Sequence, residues 1–156
     1  MSATDPDAPA RPTAEEAMHT TLDLSFEEAV LQVQLEHELA GFETVKRTRL
    51  DRMIRGALEE EAPRTALLVV CHAEIARDAI EIDPTLAGLL PCTTVVYEDD
   101  DAVHVHHVSA TKAIRDLGCA PAEASPEVQA LVETTGEHMQ RVWENVAALD
   151  EPGSGY

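Results

Sequence analysis

Cys71 and Cys92 are the residues with the most chemistry to offer. Each stands at one end of a Val-rich run that reads as a strand. If those strand ends are neighbours, the two thiols meet, and the pair can shuttle between dithiol and disulfide or hold a soft metal or a sulfur species. The spacing is no CxxC, and free cysteine often packs as a small buried hydrophobe, which is the competing role. His72 follows Cys71 directly and could lower its pKa or join it as a ligand. Adjacent residues of a strand face opposite sides, however, so a place in the loop ahead of the next helix is the alternative for His72. His104 and His106 alternate within AVHVHHV and project from one face, with His107 on the other. Two imidazoles so placed are half a site for Zn²⁺ or haem iron, with Glu98 or the Asp99–Asp101 run as further donors. A solvated hairpin beside an acidic turn is the plainer account of the same residues. No GxSxG, HExxH, P-loop or GxGxxG occurs, so the sequence names no catalytic residue and no cofactor.

The elements that would position these residues follow from periodicity. Thr21–Ser25 alternates as a short strand, and Ser25 with Glu28 forms a capping box for a helix. That helix has Phe26, Val30, Val33, His37 and Ala40 on one face and Gly41 as its left-handed cap. Glu43–Arg49 reads as a polar second strand, followed by a short helix or loop over Asp51–Glu61 that Pro63 closes. Thr65–Val70 (TALLVV) is continuously apolar and predicts a central strand buried on both faces. Glu74–Ile82 is a short helix with Ile75, Ala79 and Ile82 inward, stopped by Pro84. Thr93–Glu98 and Ala102–Val108 flank Asp99-Asp100-Asp101 as a β-hairpin. A further helix is expected around Ala110–Leu117. After a linker, Ser125-Pro126-Glu127 opens a long helix with N-cap, Pro and acid in the favoured places. Val128, Val132, Thr135, Met139, Val142, Val146 and Leu149 form its seam, with Gly136 costing about 1 kcal/mol against Ala. The seam fits packing on the chain's own sheet or pairing between two subunits.

Composition limits the setting. Thirty acidic residues against eleven basic ones give a formal charge of −19 over 156 residues, and aromatics are only 3%. The core must therefore be aliphatic. Such a chain repels itself in dilute buffer, whereas in about 1 M salt the Debye length is roughly 3 Å and the repulsion is screened. We read this as a halophilic composition; a cationic partner is the other explanation. No basic patch stands out to neutralise phosphates, which disfavours nucleic acid. No run approaches a membrane span. The acidic, Pro-rich start is unlike a signal peptide, and three cysteines fit reduced thiols in a cytoplasmic location. The expected organisation is an arm over 1–19, a domain over 20–118, a linker and C-terminal helix over 119–149, and a tail over 150–156.

The stretch CHAEIARDAIEIDPTLAGLLPCTTVVYE, residues 71–98, resembles the signature of domain-of-unknown-function family 302. The matching positions are Cys71, Ala76, Ala79, Asp83-Pro84, Leu89-Leu90, Pro91-Cys92 and Val95-Val96-Tyr97-Glu98. FEEAV at Phe26–Val30 and Gly41-Phe42 match the family's first helix. The resemblance covers about residues 21–115. His72-Ala73 departs from the family's usual Asn-Pro, and the C-terminal helix is expected to lie outside the family domain. The resemblance implies an α+β fold, a small curved antiparallel or mixed sheet with helices on one face (TBP-like), to which this chain adds a C-terminal helix. It also implies a homodimer. On that basis the preferred function is a homodimeric accessory protein that binds a small ligand or partner. A thiol module built on Cys71 and Cys92 is the alternative, and metal or haem binding through His104 and His106 a further one.

Overall fold

The computed structural model describes residues 18–108 and 126–150. The helix expected around 110–117 and the linker after it lie outside the described residues. The strands are β1 (His19–Leu22), β2 (Phe42–Arg49), β3 (Thr65–His72), β4 (Cys92–Asp99) and β5 (Ala102–Val108). The helices are α1 (Phe26–Leu39), α2 (Leu50–Leu58), α3 (Ala73–Ile82) and α4 (Pro126–Ala147), with 3₁₀ turns at Pro84–Leu89 and Ala148–Asp150. The strands form one open antiparallel sheet in the order β1-β5-β4-β3-β2. This is the expected α+β architecture. Among the described residues, no helix is long and apolar enough to cross a membrane.

Ser25 caps α1, its Oγ accepting from the Glu28 N–H at 3.2 Å. Phe26, Ala29, Val30, Val33 and His37 are buried along one side of that helix. The α1 C-terminus is closed by Gly41 at φ +93°, a conformation that carries little penalty only without a Cβ. A Cβ there would also come within 3.1 Å of His72 Nε2. The β4–β5 hairpin turns on Asp100 and Asp101, both left-handed (φ 51° and 65°), with Asp99 paired to Ala102. Two left-handed residues in succession match the twist of the flanking strands, and Asp tolerates this better than most residues.

The first strand begins at His19, two residues before the expected start, and Met18 is already buried. The pairing explains the shift. Leu22 lies opposite Val103, and the Met18 carbonyl accepts from the His107 N–H at 3.0 Å.

The core lies on one face of the sheet. Ala66, Leu68 and Val70 of β3, Val96 of β4 and Val103 and Val105 of β5 meet Phe26, Val30 and Val33 of α1 and Met139, Val142, Trp143 and Val146 of α4. So α4 packs onto its own chain and completes the same core. A smaller cluster joins Ala79, Leu86 and Val128. The expectation that β3 is buried on both faces is corrected: burial alternates along it, with Leu67 and Val69 only half-buried on the outward side. The main core lies on the other face, and an apolar run alone does not reveal how many faces are covered.

Candidate functional site

Strand alternation sorts the chemistry-bearing side chains between the two faces. On the outward face, β1 and β5 bring His19, His104 and His106 together, next to Tyr97 on β4. His104 Nδ1 lies 3.3 Å from His19 Nε2, and the Tyr97 hydroxyl lies 3.4 Å from the same nitrogen. The Tyr97 and His104 rings stack with centroids 4.9 Å apart, and those of His19 and His104 lie 5.3 Å apart. Partial burial, with the neighbouring imidazoles His104 and His106, lowers the His19 pKa. His104 thus finds its close partner across the sheet in His19 rather than in His106. Among the described residues, no three His, Cys, Asp or Glu side chains converge to hold a metal ion.

The two thiols are not brought together. Cys92 pairs with Val70 and shares its core-side orientation, whereas Cys71, one residue on, pairs with Glu43 and faces outward. The strand ends are adjacent, but side chains leaving opposite faces cannot be bridged without backbone movement. Burial, then the Glu43 carboxylate, raises the Cys71 pKa, which lowers its thiolate fraction. The Cys92 thiol is buried and directed at the Leu90 carbonyl, 3.6 Å away. His72 faces the helices instead of joining Cys71. Its ring meets Phe42 edge-on at 5.4 Å and His138 of α4 at 4.6 Å, and its buried Nδ1 has no hydrogen-bond partner among the described residues.

Two arrangements escape a reading of the sequence. The first is a polar chain inside the core. His37 Nδ1 lies 2.7 Å from the Val33 carbonyl, an acceptor only, so Nδ1 donates and the neutral ring's Nε2 accepts. The Thr94 hydroxyl, 3.0 Å away, donates to that Nε2, and accepts in turn from His107 Nδ1 at 2.9 Å. His37, Thr94 and His107 are all buried. Burial above all, with His37 and His106 nearby, pushes the His107 pKa down to about 3, and burial lowers that of His37. Periodicity puts His37 on the apolar face of its helix and His107 opposite His104 and His106, but gives no sign that the two rings join through Thr94.

The second is a concentration of arginine. Lys46, Arg47, Arg49, Arg52, Arg55 and Arg64 are six of the chain's eleven basic residues. A bulge between Thr44 and Lys46 decides where two of them point. Ahead of it, Phe42 and Thr44 lie opposite His72 and Val70 on the core side. Beyond it, Arg47 and Arg49, opposite Leu68 and Ala66, take that side. One inserted residue, Val45, so turns both guanidinium groups toward the helices. Arg49 is then held by Asp51, Nε to Oδ1 at 2.9 Å and Nη2 to Oδ2 at 2.7 Å, and by Glu27 at 3.1 Å. Asp51 Oδ1 also accepts from the Thr65 N–H at 3.3 Å, tying α2 to the start of β3. The Arg49 hydrogen bonds hold the Asp51 pKa down to about 2. A cleft of about 690 Å³ lies between α1, β2 and α2, with Arg47, Arg49 and Arg52 on its walls and Val30, Leu31 and Ala66 among its apolar lining.

Comparison with known proteins agrees with this architecture. The family model described as Domain of unknown function DUF302 matches residues 18–146. The match continues well beyond residue 115 and takes in nearly all of α4, in place of the boundary expected before that helix. Core packing gives the reason: Met139, Val142 and Val146 fill the same interior as α1 and the sheet. A crystal structure of an uncharacterized conserved DUF302 protein from Bacillus stearothermophilus is similar in fold, with a TM-score of 0.69 and 12% identity over 81% of this chain and 94% of that one. No curated protein matches the chain. With a family match spanning most of its length, the chain belongs to the DUF302 family.

Proposed function

We propose that the chain is an accessory binding domain for a small ligand or partner, working as a pair of identical copies that meet through the outward face of the sheet. One observation carries this reading. The outward positions of β1, β5, β4 and β3 include Leu67, Val69, Val95, Tyr97 and His104, none of them buried, and Asp99 at the hairpin end is the single formally charged residue among them. In a chain of net charge −19 this is a surface on which two copies approach with little repulsion. A face almost without formal charge, on which aliphatic and aromatic side chains lie beside imidazoles and hydroxyls, is more typical of an interface than of a surface left in water.

Mass measured by light scattering in concentrated KCl tests the pairing. The expected value is twice the 16.9 kDa of the chain, and Val95→Glu should return it to a single chain with its circular dichroism unchanged. A wild-type monomer across the accessible concentration range overturns the reading. The close approach of His19 and His104 favours a second reading, capture of a transition-metal ion on the same face with Tyr97 beside it. A metal analysis and visible spectrum of protein purified without added metal test it, and a metal-free sample that takes up no added Zn²⁺ or Cu²⁺ rejects it.

A further inference from the structure

We infer that the cleft between α1, β2 and α2 binds a small organic oxyanion, a carboxylate or phosphate carried on an apolar body. The inference rests on the ligand-binding part of the reading above and not on the pairing, which mass measurement tests separately.

The cleft combines an excess of positive charge, three arginines against one glutamate, with an exposed apolar side chain, Leu31. Arg49 is committed to Asp51 and Glu27. Arg47 makes its side-chain bond to the neutral Gln34, Nη1 to Oε1 at 3.0 Å, while the Gln34 amide donates onward to Glu38 at 2.9 Å, so no described carboxylate pairs with Arg47 directly. Arg52 is exposed and makes no ion pair or hydrogen bond with any described residue. Glu27 is the single acid lining the cleft, and it is already held by Arg49. Two guanidinium groups are therefore left with donors to offer. Guanidinium is the side chain best matched to carboxylate and phosphate, through paired N–H···O bonds.

The surroundings sharpen the point. In a chain this acidic, an Arg with a free choice of partners finds a carboxylate easily, as Arg55 does with Glu61 and Arg77 with Asp78. Arg47 and Arg52 do not. The bulge holds Arg47 on the cleft side, at the cost of an unpaired residue in the ladder and an exposed Val45. Leu31, 58% exposed beside the guanidinium groups and over the buried Val30 and Ala66, favours an anion that carries hydrocarbon over a bare one, and the volume suits a small metabolite.

Calorimetric titration of the full-length chain tests this with four probes: phenyl phosphate, benzoate, inorganic phosphate and benzyl alcohol. At the lowest salt that keeps the chain folded, phenyl phosphate or benzoate binds, and whichever is tighter identifies the oxyanion. Arg47→Gln and Arg52→Gln each weaken that binding about tenfold, the loss of one charge-assisted contact. Arg77→Gln, on α3, leaves it unchanged, and concentrated KCl weakens it through screening. Absence of heat with both aromatic anions, in titrations repeated at two temperatures, overturns the inference. So does benzyl alcohol binding as tightly as the anions, inorganic phosphate binding as tightly as phenyl phosphate, or affinity unaltered in both cleft variants.

Discussion

The two faces of the sheet are built from nearly the same residue types and do different work. On the helix side, Leu68, Val70, Val96 and Val105 are fully buried beneath α1 and α4. On the other side, Leu67, Val69 and Val95 alternate with them in the same strands and keep part of their surface in water. The polar groups divide in the same way. The helix side encloses His37, Thr94 and His107 in a closed line of hydrogen bonds, whereas His19, His104 and Tyr97 lie together on the outward side with polar atoms accessible. Folding one core explains the first face. It does not explain apolar residues on the second, and those are the residues available for association.

The largest test of this contrast is acid. His107 is held neutral in the folded chain with a pKa of about 3, while the unfolded chain accepts that proton near pH 6.5. Stability is therefore complete above pH 6.5 and falls as the pH drops toward 3, by on the order of 4 kcal/mol from this group. Denaturant titrations at a series of pH values in concentrated KCl measure the loss, and a flat profile between pH 7 and 4 would show that the core accommodates the charge. Next comes a matched pair of truncations. Leu68→Ala should cost about 3 kcal/mol, as expected for a fully buried leucine. Leu67→Ala, its neighbour on the other face, should cost the isolated chain less than about 1 kcal/mol and instead shift the monomer–dimer equilibrium toward monomer. Equal costs for the two would erase the distinction between the faces. Thr94→Val keeps shape but removes the hydroxyl that links the two buried imidazoles. A loss of about 2 kcal/mol is expected in the same denaturation assay, because two ring nitrogens lose their partner.

Much of the fold was legible because its signals are local. Ser25, Gly41 and the Asp99–Asp101 turn each mark an element boundary through their own backbone or hydrogen-bonding preference. The seam of α4 was legible as well, though not its partner, since periodicity identifies a face without saying what it meets. The site was harder to read. Cys71 and Cys92 look like a pair when the strand is taken to end at Val70. It continues to His72, and one residue of alternation then places the two sulfurs on opposite faces. His19 was assigned to the acidic arm and so could not be offered as a partner for His104. FETVKRTR reads as unbroken polar alternation, and nothing in it announces that Val45 is an insertion. That single residue turned Arg47 and Arg49 to the helix side, and the clustering of arginine became visible only in three dimensions.

The same bulge has a bearing on assembly. Among the described residues β2 is an edge strand, and its ladder is interrupted at Val45, with Lys46 and Arg47 directly after it. The opposite edge, β1, is only four residues long. Irregular, charged or very short edges are poor templates for adding another strand. Sheet-to-sheet extension into fibres is thereby discouraged at both ends, even in concentrated salt where charge repulsion no longer keeps the molecules apart. Of the ways two copies could meet, strand addition at the edges is the one this geometry disfavours.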